Sequence, residues 1–589
     1  MRKRWRMVVS RLVNGADAVS GQSSLTISRT GVRGRGGVVS GKMAEAVRAG
    51  TAMLADGGNA IDAAVTTAFA MGVAEPWMNG LGGGGYLVAW LANERRSIAI
   101  EYPMISPSGA TPGMFPLVGG ATDTGLFGWP ATVGNANIAG PLAVAVPGTV
   151  AGLALALERY GTRSLAEVLA PAIALAEAGT PVTWHTTLTI ARDLANLARF
   201  PATRAVFLDA LGNPPVTIEQ ARPTLIRQPD LGQTLRAIAV EGPRSFYEGE
   251  NADRIVRHLA EHGSSMTRED FAHYEATESP TIDAMFAGHT VHTIGKGTGG
   301  TSLAQALMML ERLDLAASGH NSAETIHRMT AVFRRVFADR FAYLADPEAV
   351  EVPIDALLEP AYIALRVAGI DPNRANLPEA GDRAALGVRH GLAASVPEYL
   401  HDGSTTHLGV IDREGNGVSL TQTLLSLWGS RVVVPETGVL LNNGMMWFDP
   451  EPGRPNSVAG RKRPLSNMAP ALVSRDGELV ASVGASGGRK IMNCNAQIIA
   501  NLTVHEMGLH DAIEAPRIDA STRALAVSTR IDPAVRTHLS ELGHPVSALE
   551  ETLLTADFAS PVGCARLGDG ELEGAVDQWY FPATAIALD

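Results

Sequence analysis

Cysteine is nearly absent. The 589 residues carry two, Cys494 and Cys564, and neither belongs to a CxxC pair. That excludes a disulfide framework and a thiolate zinc site, and both residues read as ordinary core thiols. Aromatic residues make up 5% of the chain and charged residues 18%, against 46% apolar residues. Such a chain has ample material for a core and is not disordered. Positive charge is in the minority, with a net charge of -12. An acidic balance spread along the sequence argues against a nucleic-acid partner. No stretch reaches the roughly 18 uninterrupted apolar residues of a membrane span. The basic start, MRKRWRMVVSRLVNG, breaks its apolar run at Ser10 and Arg11, too early for a secretory core. These absences lead to the expectation of a cytoplasmic protein with no membrane partner. Residues 1–36, rich in Arg, Ser and Gly, are expected to be a flexible tail or the product of a mis-assigned start. No carboxylate/His cluster has metal-ligand spacing, so no metal is expected.

What is present is patterned. A chain of this length holds several cores or one large layered fold. Ala44 to Leu54 has helical spacing and stops at Asp56-Gly57-Gly58. Ala60 to Val73 is apolar nearly all round, the mark of a buried helix. Four glycines, 82–85, then lead into a strand. They do not form GxGxxG and do not open a helix, so they suit close backbone approach rather than a dinucleotide site. Residues 141–200 and 228–400 read as mostly helical, with turns at 241–243 and 297–299 and a polar, loop-like stretch at 371–385. From residue 405 the texture changes to short alternating runs, LGVID, GVSLTQT, RVVVP, GVLLNN and ELVASVGA, which read as strands. A helix is expected near 492–504. Helices first and strands later fit either separate domains or sheets sandwiched between helices.

The stretch GSTTHLGVIDREGNGVSL, 403–420, places two threonines at a strand entrance. β-Propensity alone accounts for threonine there. A second account is that the chain is cut before Thr405. A threonine hydroxyl needs an adjacent base to act as a nucleophile, and an N-terminal threonine carries one in its α-amine. That amine titrates near pH 8, close to a working pH. His407 points to the same strand face as Thr405 and could be a base, but the amine already fills that role, so His407 reads as structural. An acyl-transfer site also needs fixed N–H donors for an oxyanion, and Gly487-Gly488 in SVGASGGRK could supply them.

From about residue 37 to the end, the sequence resembles the γ-glutamyltransferase (γ-glutamyltranspeptidase, glutathione hydrolase) family of N-terminal-nucleophile hydrolases. The resemblance is carried by DGGNAIDAAVTTAFAMGVAEP, GLGGGGY, VPGTVAGLALALERYGTRSLAEVLAPAIALAEAGTPV, STTHLGVIDREGNGVSLTQT, KRPLSNMAP and GASGGRK. It implies an α+β fold, a four-layer αββα sandwich, with self-cleavage between Ser404 and Thr405. The large subunit, 37–404, and the small subunit, 405–589, would share one core and stay associated. It implies that Thr405 is the nucleophile and that Thr423 hydrogen-bonds it. Gly487 and Gly488 would form the oxyanion hole, and Ser466, with Asn467 in place of a second serine, would face the substrate beside Asn443 and Trp447. No cofactor is implied. The partners would be a small-molecule amide and water or an amine or amino-acid acceptor.

The sequence departs from the family pattern where a γ-glutamyl headgroup would bind. Pro103 stands in place of an arginine, Trp447 in place of an aspartate, and Leu425 in place of an asparagine. Asp449 could substitute only through a shifted backbone, and the lid segment 449–461 is short. Arg431, Arg489 and Lys490 are candidate carboxylate partners, each with the alternative of being a solvated surface charge. Three readings follow: a γ-glutamyltransferase-like amidohydrolase, the same chemistry on another amide (a glutaryl/cephalosporin acylase or oxamate amidohydrolase), and an unprocessed, non-catalytic paralogue.

Overall fold

A computed structural model describes residues 27–122, 128–386, 404–554 and 557–589. Two seven-stranded antiparallel sheets lie face to face. One runs, edge to edge, Val32–Gly34, Leu572–Val576, Ser560–Arg566, Glu478–Ser486, Ala471–Arg475, His289–Thr293 and Ile282–Phe286. The other runs Thr584–Leu588, Gly37–Gly41, Thr406–Asp412, Gly417–Thr423, Gly84–Leu91, Arg96–Tyr102 and Thr277–Ser279. Helices Ala44–Ala55 and Ala60–Ala74 pack on the outer face of the second sheet, and Gly299–Leu310 and Lys490–Thr503 on that of the first. This is the αββα sandwich, with strands from both sides of residue 405 in each sheet.

Local chemistry explains the elements that position the centre. Ala60–Ala74 starts at Asn59, whose side chain accepts from the N–H groups of Ile61 and Asp62, while Asp62 accepts from the Asn59 N–H. This reciprocal cap satisfies donors that the first turn leaves open. Fourteen of the fifteen helical residues are buried, so the helix fills the space behind the Thr406–Asp412 strand. The inner faces of the sheets are joined by small polar side chains. Ser419 donates to the Val483 carbonyl (3.1 Å), and Ser482 donates to the Val418 carbonyl (2.8 Å).

Several expectations are corrected. Val32–Gly34, inside the stretch expected to be a tail, is an edge strand paired with Leu572–Val576; residues 1–26 lie outside the described residues. Three strands, 277–279, 282–286 and 289–293, interrupt the region read as helical. RVVVP and GVLLNN do not form strands. They make single bridges, Val433 to Leu440 and Gly82 to Leu441, because Arg431, Glu436 and Gly438 take positive φ and turn the chain too tightly for a ladder. Cys494 and Cys564 are buried free thiols, and burial pushes Cys494 up to about 11.

At Gly484 the two sheets are in close contact. A Cβ there would lie 2.1 Å from the His407 ring. Gly484→Ala is therefore expected to lower stability by about 1–3 kcal/mol through overpacking. In urea unfolding, Gly484→Ala combined with His407→Ala should lose less than the two single changes added together, because the clash partner is gone.

Candidate active site

Thr406 pairs with Gln422, and His407 with Thr421. Continued one step, this register sets Thr405 opposite Thr423. Both are buried. The carbonyl oxygen of Ser404 accepts the Thr423 hydroxyl at 2.9 Å and the Thr405 hydroxyl as well. The Leu425 N–H donates to Thr423 Oγ1 at 2.8 Å, which leaves the hydroxyl proton of Thr423 directed at that carbonyl. Ser404 is tied down in turn, its hydroxyl reaching the Trp77 carbonyl (3.3 Å) and Met78 Sδ (2.9 Å). The peptide bond expected to be cut is thus held between two hydroxyls. Residues 387–403, which precede it, lie outside the described residues.

The facing sheet brings the glycines to the same end. A Cβ at Gly409 would sit 3.1 Å from Ser482 Oγ, and Gly484 lies under His407. The strand Glu478–Ser486 therefore runs towards Thr405, and Gly487-Gly488 follow where it ends. Gly487 has φ +140° and Gly488 +62°. A Cβ on Gly487 would also lie 2.8 Å from Ala559 Cα, so only glycine fits. The turn leads into helix Lys490–Thr503, whose N-terminal end carries positive partial charge. Backbone amides at such a place suit a developing oxyanion.

His407 is not a base for this centre. Its Nδ1 meets Thr421 Oγ1 at 2.8 Å, and burial, with the Lys42 charge nearby, pulls it down to about 3. A neutral ring fixed between the sheets fits the structural role read from the sequence.

The residues expected around the substrate divide. Ser466 is buried, its N–H donating to the Gly297 carbonyl (2.9 Å) and its hydroxyl accepting from the Met468 N–H (3.3 Å). Asn467 accepts from Arg340 at 3.1 Å, while its Nδ2 is buried with no hydrogen-bond partner. Trp447 ends a short 3-10 turn, Gly444–Trp447, and its indole N–H is also buried and unpartnered. Tyr86, Met104, Leu425, Met446 and Trp447 belong to one apolar cluster. Asn443 is engaged structurally: its amide donates to the Ile138 carbonyl (2.8 Å) and Ser426 Oγ (2.7 Å) and accepts from the Ser426 N–H (3.1 Å). Asp449 forms an ion pair with Arg454 at 3.2 Å. The Pro103 carbonyl accepts from the Tyr274 hydroxyl at 2.6 Å.

None of the three cations is the solvated surface charge weighed as the alternative. Arg431, Arg489 and Lys490 are all buried. Arg431 binds Asp193 at 2.8 Å, and Arg489 lies 5.6 Å from the Phe341 ring centre. Arg340 was missed altogether. It is buried and donates to Thr298 O (2.8 Å), Ser302 Oγ (3.2 Å) and Ser466 O, so it fixes the Ser466-Asn467 loop. Burial and the neighbouring Arg489 bring its guanidinium down to about 9. Its only sequence signal was an arginine on the face of a helix whose other residues are largely apolar. Among the described residues, no group of three or more His, Cys, Asp or Glu converges as metal ligands.

Thr423→Val should keep the fold and lose the donor to the Ser404 carbonyl. Cleavage before Thr405 should slow by about 10²–10³, the usual cost of one oxyanion donor. The fraction of uncut chain against time, read by intact mass, checks this.

A sequence model described as gamma-glutamyltranspeptidase matches residues 46–580. The chain is 35% identical over 549 residues to the acylase ACY 1 proenzyme of Pseudomonas sp. (strain V22), covering 92% of this chain and 91% of that protein. It is 35% identical over 516 residues to the glutathione hydrolase proenzyme of Bacillus subtilis (strain 168), covering 87% and 85%. The crystal structure of cephalosporin acylase from Bacillus halodurans superposes with a TM-score of 0.83 at 24% identity, covering 98% of this chain and all of that one, a likeness of fold.

Proposed function

Since the chain belongs to the gamma-glutamyltranspeptidase family, we propose that it is an amide-cleaving acyltransferase whose nucleophile is Thr405, set free by cleavage of its own Ser404–Thr405 bond. The observation that carries this reading is the Ser404 carbonyl, which accepts the hydroxyls of both Thr405 and Thr423. In self-cleavage, Thr405 Oγ1 attacks the Ser404 carbonyl carbon. The C–O bond forms, the nitrogen takes up the proton, and the C–N bond breaks, giving an ester. The Thr423 O–H bears on the oxygen that gains charge. Water then opens the ester, leaving a carboxylate on Ser404 and a free α-amine on Thr405.

In the mature enzyme that amine takes the proton of Thr405 Oγ1 as the oxygen attacks the substrate carbonyl carbon. The N–H groups of Gly487 and Gly488 hold the resulting oxyanion. The leaving amine departs with the proton, and the acyl-threonine ester is opened by water or by an amine acceptor. The two chains stay associated, because Gly37–Gly41 and Gly84–Leu91 flank the strand pair 406–412 and 417–423 in one ladder. That relatives of similar length are named proenzymes supports the processing step.

The walls assigned to the acyl group are Met104, Leu425, Met446 and Trp447, which are buried in one apolar cluster. A γ-glutamyl headgroup is a zwitterion, and burying its charges unpaired is costly. Asp449 is held by Arg454 and Arg431 by Asp193, so neither is free to clamp it.

Thr405→Ala is expected to remain one chain and to be inactive, since the base never forms. Intact mass under denaturing conditions reads this directly, and an alanine variant that still splits before residue 405 refutes the assignment. On γ-glutamyl-p-nitroanilide, kcat/KM should fall about 10- to 100-fold below that of an ordinary family member, the worth of one lost charge-assisted contact of about 1.5–3 kcal/mol. Steady-state kinetics measure it.

A further inference from the structure

One buried cation stands behind the nucleophile. Lys42 follows the strand Gly37–Gly41, in which Ser40 pairs with Gly409, so Lys42 lies opposite His407, two residues from Thr405. It is fully buried. Its ammonium crosses between the sheets and donates to Ser560, to the carbonyl at 2.5 Å and to the hydroxyl. It also lies 4.8 Å from the centre of the Tyr580 ring. A lysine buried against a neutral serine is costly.

Its neighbours connect it to both halves of the centre. Ser560 pairs with Ser486, whose hydroxyl also reaches the Ser560 carbonyl (3.4 Å). The preceding residue, Ala559, sits at φ +62° against Gly487. On the nucleophile side, the Tyr580 hydroxyl donates to Glu75 at 2.6 Å, and the Thr406 hydroxyl lies between Glu75 and Met71 Sδ. The charged and titratable groups around Lys42 are Glu75, Asp577, Arg29, Cys494 and His407. Asp577 is shared with Arg517, 3.7 Å away.

We infer that Lys42 is a positioning residue of the acyl-transfer centre: through Ser560 and Ala559 it fixes the Gly487-Gly488 turn, and its charge keeps the α-amine of Thr405 unprotonated at neutral pH. The inference rests on the reading of Thr405 as an N-terminal nucleophile. A positive charge two residue pairs away disfavours a second one, as two ammonium groups in a poorly solvated site repel. Burial itself brings Lys42 down to about 8, with Asp577 and Glu75 opposing, so it remains mostly charged at pH 7. The sign follows. Removing the charge lets the amine hold its proton to higher pH, so the acid limb of the pH–rate profile moves up.

The test is the pH dependence of kcat/KM for the processed wild type, Lys42→Met and Lys42→Arg, each first checked by intact mass for a small chain beginning at Thr405. The wild-type acid limb is expected below about 7, under the ordinary α-amine value of about 7.7–8.0. Lys42→Met should raise it by about one pH unit, the order expected for one charge at an effective dielectric near 20. Lys42→Arg should keep the limb near wild type while lowering kcat, because the longer planar group displaces Ser560. A merely structural lysine would lower the rate without moving the limb. A wild-type limb at 8 or above, or an unmoved limb in Lys42→Met, overturns the inference and leaves the Thr405 assignment standing. An uncut, inactive wild type overturns both. Where Lys42→Met does not fold, the position of the wild-type limb decides alone.

Discussion

The centre depends on one register, that of Thr406–Asp412 against Gly417–Thr423. Side chains alternate between the faces of a strand, so a slip of one residue would carry Thr405 from the space between the sheets to the helical layer. It would also separate Thr405 from Thr423. Several contacts act against such a slip. His407 fills the gap over Gly484, Gly409 passes closely by Ser40, Ser482 and Cys564, and Ser419 and Ser482 exchange hydrogen bonds with the opposite sheet. Leu408 and Val410, on the other face, pack with the helix Ala60–Ala74. Thr405 is therefore placed by apolar packing on one face of its strand and by polar interdigitation on the other.

Between the sheets the charges follow from burial. His407 stays neutral because ionising it there would strand a cation between two sheets, next to Lys42. Glu75 is raised to about 7 by burial, although the Thr406 and Tyr580 hydroxyls draw it back. Burial thus moves the groups behind Thr405 in opposite directions, the Glu75 carboxyl up and the His407 imidazole down. Arg340 and Arg431 act differently. Their guanidinium groups are spread over several acceptors each, which suits a rigid fork holding loops in place.

Much of this was legible in the sequence, and what was not has physical reasons. Helix Ala60–Ala74 was readable because its residues are apolar all round and Asn59 caps it. The strands after 405 were readable by their period of two. The strands at 282–286 and 289–293 were not, because an exposed Met285 and a buried His292 blur the alternation of apolar and polar residues. RVVVP looked like a strand because β-branched residues favour pleats, yet positive φ at Arg431 and Glu436 overrode that preference. The candidate threonines and glycines came from family resemblance, and the structure brings Thr405, Thr423 and the end of the strand before Gly487-Gly488 together. Arg340 and Lys42 could not be found from sequence alone. A buried cation looks like a surface one until its partners, 126 and 518 residues away, are known.

The same logic bears on the acyl pocket. In a buried site, what matters is which polar groups remain uncommitted, because committed ones cannot turn to a ligand without leaving their partners unsatisfied. Asp449, Arg431 and Asn443 are committed. The Trp447 indole N–H and the Asn467 amide nitrogen have no partner. Both are buried neutral donors, and Asn467 lies on the loop that Arg340 holds. Donors without a matching carboxylate favour an acyl group that presents acceptors and disfavour one that presents an ammonium. An ammonium entering beside Trp447 would lose its water and gain no anion, and its best interaction would be with the indole face, worth about 0.5–2 kcal/mol. On the reading of Trp447 as a residue of the acyl site, that is less than the cost of dehydrating it.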